Sequence, residues 1–163
     1  MKRHSGFTLI EMLMVIVIIG ALTGTLMLSV SSATDKANAS KIVSNLRSLK
    51  AACVMYYADN GQWPSENVVF DGVQSTDEGT KKNIESYLDK IPEKGYKIYA
   101  PTAGENSCVV SYSDSAAMSD GVKNKLKKMA SNSALYASNA VNASLYSGGE
   151  EVFMKVTNSP QGQ

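Results

Sequence analysis

From Phe7 to about Val30 the chain is almost wholly apolar, and a single carboxylate, Glu11, sits inside that run. As an α-helix such a stretch reaches roughly 36 Å, enough to cross a bilayer. Lys2 and Arg3 precede it, and Asp35 and Lys36 follow it. The basic flank stays in the cytoplasm, so a single membrane pass with the bulk of the chain exported is expected. Glu11 is out of place in a plain anchor, because an ionised carboxylate in hydrocarbon costs several kcal/mol. A nearby cation lowers that cost. Cleavage after Gly6 would create one, the α-amine of Phe7, able to pair with Glu11 of its own chain or of a neighbour. In a polymer of staggered helices such a pair would set axial register, the best-attested use of a buried charge pair.

An ordinary secretory signal is cut after its apolar stretch. Here no small-x-small site stands clear of the helix, although Ser29-Val30-Ser31 comes near to one. The distinctive residues lie at the other end. Gly6-Phe7-Thr8-Leu9-Ile10-Glu11, after a short basic leader, resembles the class III signal of type IV prepilins and type II secretion pseudopilins. The resemblance implies cleavage between Gly6 and Phe7 by prepilin peptidase, N-methylation of Phe7, and a docking role for Glu11. It further implies a homo-oligomeric helical filament, built at an inner-membrane assembly platform with a separate ATPase and displayed at the cell surface. Many pilins carry a proline about two turns beyond Gly20; here Leu28 stands there, and no proline occurs before Pro64. Gly20 and Gly24 remain, either as a place to unwind or as small residues that let neighbouring helices approach.

Composition removes the common enzyme classes. His4 is the single histidine, so a chain trimmed after Gly6 has none and lacks a Ser-His-Asp or Cys-His system and imidazole zinc ligands. There is no Walker loop and no dinucleotide fingerprint. We expect no catalysis, no cofactor and no metal. With 16 basic and 15 acidic residues, net +1, the overall charge argues against nucleic acid as a partner.

Beyond the apolar run, Ile42, Val43, Leu46, Leu49, Cys53, Tyr56 and Tyr57 recur at helical spacing, so the helix is predicted to continue as an amphipathic half to Asn60-Gly61. The turn Asp59-Asn60-Gly61-Gln62-Trp63-Pro64 resembles the exit from the long helix in the same superfamily. Next come a polar loop over 65–83 with an apolar island at 68–70, a short helix over 80–90, and a hairpin of 94–100 with 107–113. Ser119 is placed to cap a third helix with Val122, Leu126, Met129 and Ala130 inward. Residues 131–147 stay ambiguous, and a last strand over 151–156 is paired with 144–146 across Gly148-Gly149. The predicted organisation is a leader (1–6), a membrane and filament-core helix (7–30), an amphipathic helix (31–60) and a head (61–163). In fold class this is α+β, a pilin-like lollipop with its long helix packed on a small antiparallel sheet.

Cys53 and Cys108, separated by 54 residues, form an even pair in a chain that leaves the cytoplasm. That suggests a disulfide stapling helix to sheet, worth about 4 kcal/mol by chain entropy; two buried thiols are the alternative. The run Lys123, Lys125, Lys127 and Lys128 reads as a solvated helix face rather than a phosphate contact. Asp71, Asp77 and Glu78 match no EF-hand spacing. The leading reading is a structural subunit of a type IV pilus or related filament. The alternatives are a type II secretion pseudopilin and, in another class, a membrane-anchored DNA- or ligand-binding protein that never polymerises.

Overall fold

The computed structural model describes residues 6–75, 79–101, 107–140 and 142–157. One helix, α1 (Leu9–Asn60), runs for 52 residues, about 78 Å at the usual rise. Every apolar side chain from Phe7 to Met27 is exposed. Burial begins at Ala39 and then recurs at Ile42, Val43, Leu46, Leu49, Ala52, Cys53 and Tyr56, one face of the second half. The helix stays continuous through Gly20 and Gly24; Thr23 and Thr25 donate their hydroxyls to the carbonyls of Ile19 and Leu22. It stops at Gly61, whose φ of 69° suits a residue without a Cβ and whose N–H donates to the Tyr57 carbonyl at 2.8 Å. Trp63 then packs on the Tyr57 ring, centroids 4.5 Å apart.

Among the described residues the head is a five-stranded sheet and two helices, α2 (Thr80–Glu85) and α3 (Asp120–Ser133). The strands are β1 (Val68–Val69), β2 (Tyr96–Tyr99), β3 (Ser107–Tyr112), β4 (Leu135–Tyr136) and β5 (Val152–Thr157), all paired antiparallel in the order β1-β2-β3-β5-β4. Register places Val68, Ile98, Val110, Met154 and Leu135 in one row across all five strands, and all five are buried. With Cys108, Tyr112, Val152 and Val156 they join the α1 face in a single core. Each fully buried side chain of this size contributes about 1.5–3 kcal/mol.

Helix α3 lies beside α1 in the same direction: Ser119 at its start reaches Asp35, and Ser133 at its end accepts from Arg47 at 3.2 Å. Its cap is as expected, with the Val122 N–H donating to the Ser119 hydroxyl, and Val122, Leu126 and Ala130 face inward. The predicted hairpin of β2 and β3 is present. Three expectations need correction. The short helix stops at Glu85 rather than near 90, because the chain tightens at Ser86 and Tyr87, whose N–H groups reach back to Lys82 and Ile84. The island at 68–70 supplies an edge strand, since Val68 and Phe70 bury their side chains beside β2. The last strand pairs with β3 and β4, not with 144–146. Leu135 is fully buried and fills the end of the core row beside Met154, while Leu145 is exposed and only bridges Tyr136.

Candidate assembly site

The start of α1 is built by Thr8 and Glu11. Thr8 is extended (φ −79°, ψ 151°) and caps the helix, its hydroxyl accepting from the Glu11 N–H at 3.3 Å. Glu11 Oε2 in return accepts from the Thr8 N–H and from its hydroxyl, each at 2.7 Å. This reciprocal box satisfies donors that a helix start otherwise leaves orphaned, and it puts the carboxylate where the helix dipole favours negative charge. Sequence reasoning singled out Glu11 but missed Thr8, although the Thr-x-x-Glu spacing is itself a capping signature. Both hydrogen bonds to the carboxylate end on Oε2. Gly6 and Phe7 lie immediately before the cap and are exposed, so an amine created at Phe7 would arise one residue from the N–H that Glu11 already holds.

An added Cβ at Gly6, Gly20 or Gly24 would meet no atom within 4 Å. Packing within the chain therefore gives no reason for glycine at these positions. The apolar surface around them needs lipid or other helices to cover it.

The remaining candidates fall elsewhere. Cys53 and Cys108 are both fully buried, unbonded thiols that meet in the core, Cys53 lying over 40 residues along α1 from Glu11. Asp71 accepts from Lys81 at 3.0 Å and from the Val73 N–H, contacts that hold its carboxyl below the usual range; Asp77 and Glu78 lie outside the described residues. Of the basic run, Lys123 pairs with Glu150 and Lys125 donates to Ser32, while Lys127 and Lys128 are exposed. Sequence reasoning also passed over Glu85, which is buried and accepts from the Ser75 N–H at 2.8 Å, tying the 71–75 loop to α2. An open groove of about 300 Å³ runs between α1 and the segment after α2, lined by Ser48, Met55, Tyr87, Leu88 and Lys90 among others. No cluster of three or more His, Cys, Asp or Glu side chains forms among the described residues.

A bare apolar helix with a carboxylate in its first turn, continued into a sheet-backed head, defines a class: a subunit whose N-terminal helix must be sheathed by a membrane or by other helices. Residues 1–27 match the family described as the prokaryotic N-terminal methylation motif, and residues 33–109 match the one described as PilW, C-terminal. The type II secretion system core protein G of Klebsiella pneumoniae is 33% identical over 96 residues, 59% of this chain and 65% of that protein. Its counterpart in Pseudomonas aeruginosa is 32% identical over 95 residues, 56% of this chain and 67% of that protein. A fimbrial protein of Neisseria meningitidis is 32% identical over 103 residues, 63% of this chain and 58% of that protein. The chain belongs to the type IV pilin and type II secretion pseudopilin superfamily. It spans just under two thirds of the Klebsiella protein's length.

Proposed function

We propose that this chain is a structural subunit of a type IV pilus or a related filament and performs no catalysis. A prepilin peptidase cuts between Gly6 and Phe7 and methylates the new amine. The subunit waits in the inner membrane as a single pass with its head outside the cytoplasm. It is then drawn into a helical homopolymer at a platform driven by a separate ATPase. The observation that carries this reading is the exposure of every apolar side chain from Phe7 to Met27 around one capped carboxylate. In the membrane, the Thr8–Glu11 box keeps the carboxylate partnered. In the filament, Glu11 is positioned to meet the Phe7 amine of a neighbour and fix the rise between subunits.

Glu11→Ala tests it. Filaments sheared from cells should disappear while the processed subunit persists in the membrane. Unchanged assembly would remove Glu11 from the account. If no polymer forms even from the wild-type chain with its full assembly machinery, the non-polymerising receptor is the better reading. The similarity to core protein G favours one second reading, a secretion pseudopilus. That filament would stay short, so the processed chain would be found with the envelope and not in the sheared fraction.

A further inference from the structure

Cys53 and Cys108 come from elements distant in sequence and meet inside the head. Cys53 is on the buried face of α1, two turns before the helix stops at Gly61. Cys108 is on β3, the middle strand of the five. Both are fully buried, and the Cys108 side chain is the hydrogen-bond partner of the Cys53 thiol. That hydrogen bond, followed by burial, pushes the Cys53 thiol far above its ordinary range. Two thiols without further ligands do not make a metal site, and among the described residues none gather beside them.

We propose that Cys53 and Cys108 are joined as an intramolecular disulfide in the exported subunit, and that the bond is made before the head closes over them. The inference rests on export of the head, not on polymerisation. The oxidant is a disulfide-bearing oxidoreductase or small disulfide outside the cytoplasm. One cysteine thiolate attacks the oxidant's disulfide and expels one of its sulfurs as a thiol. The second cysteine then attacks the mixed disulfide and expels the other. Two electrons and two protons pass to the oxidant, and one sulfur–sulfur bond is left in the chain.

Exchange needs a thiolate that the oxidant can reach. The folded head withholds both sulfurs, because each side chain is fully buried. Oxidation therefore belongs to a stage when α1 and β3 are not yet packed, and the finished bond is shielded from reductants in the same way. The bond would tie the helix that enters the filament core directly to the centre of the sheet. For a loop of 54 intervening residues, the chain-entropy relation puts its effect on the unfolding equilibrium at about a thousandfold.

The test traps thiols in cells expressing the full chain, by acid quench and alkylation with iodoacetamide in denaturant. Intact mass is then read on subunits from both the membrane and any sheared filaments. No adduct before reduction and two after it are expected. Two adducts without reduction would overturn the bond. Cys108→Ser should carry one adduct with or without reduction, a readout that does not depend on its folding. For the order of events, the purified reduced chain is exposed to glutathione disulfide, folded in detergent and unfolded in urea. Closure should be at least about a hundredfold slower when folded, since only rare opening exposes the thiols. Equal rates would overturn the order.

Discussion

The carboxylate of Asp35, on α1, fills the space in which a side chain at Gly121, in the first turn of α3, would begin. Asp35 Oδ1 also accepts from the hydroxyl of Ser119, the residue that caps α3, at 3.2 Å. A negative charge at a helix start is favourable, so one side chain fixes where α3 begins along α1. That point lies just above the bare half of α1, where the helix passes into the head.

Gly121→Ala is therefore expected to push the Asp35 carboxylate aside at a net cost of less than about 1 kcal/mol, because that carboxylate is the free end of its side chain and alanine favours a helix over glycine. Combining it with Asp35→Ala should recover part of the loss. Urea unfolding of the detergent-solubilised chain, followed at its single tryptophan, the buried Trp63, reads both variants. A double variant that simply adds the two losses would show that the contact does not couple the helices.

Tyr146 sets an alkaline limit. Burial pushes its phenol up to about 12, and its hydroxyl donates to the Gly149 carbonyl at 2.6 Å. Unfolded tyrosine ionises near 10. Its contribution to stability is thus complete below about pH 10 and is lost as pH rises toward 12. Tyr146→Phe should cost about 1 kcal/mol at neutral pH and make the alkaline decline shallower. Some decline should remain, because burial also raises Tyr96, Tyr99 and Tyr112. An unchanged profile in the variant would remove Tyr146 from this role.

Surface and core should separate sharply. Lys41 pairs with Glu93 at 2.8 Å and holds its carboxyl below the ordinary value, but both side chains are more than half exposed. Stability from this pair is complete above the ordinary carboxylate range and is lost as pH falls through Glu93's lowered value. Glu93→Gln should change stability by less than about 1 kcal/mol. Leu46→Ala, at a fully buried position on α1, should cost about 2–5 kcal/mol. Denaturation midpoints of the two variants check the contrast.

The long helix was legible because its signals are local and repeated: an apolar run, then Ile42, Leu46, Leu49 and Cys53 at helical spacing, then Gly61 and Pro64. Ser119 announced α3 for the same reason. The β2–β3 hairpin was legible as well, but the partners of the last strand were not. Gly148-Gly149 invited a hairpin of β5 with 144–146, yet Leu135 won the place beside Met154 because long-range burial outweighs a turn signal. At the candidate assembly site the odd carboxylate stood out against its apolar surroundings. Thr8 did not, since threonine in an apolar run is ordinary until its hydroxyl is seen to hold Glu11. Cys53 and Cys108 were legible as a pair because they are the chain's two cysteines, while the way β3 lies under α1 to bring them together is encoded by no spacing in the chain.

Intact mass of the subunit sheared from the surface of cells that carry the native assembly genes tests the central claim most directly. The expected mass is that of a chain that begins at Phe7 and carries one added methyl group. A chain that still begins at Met1, in cells with an active prepilin peptidase, would contradict it.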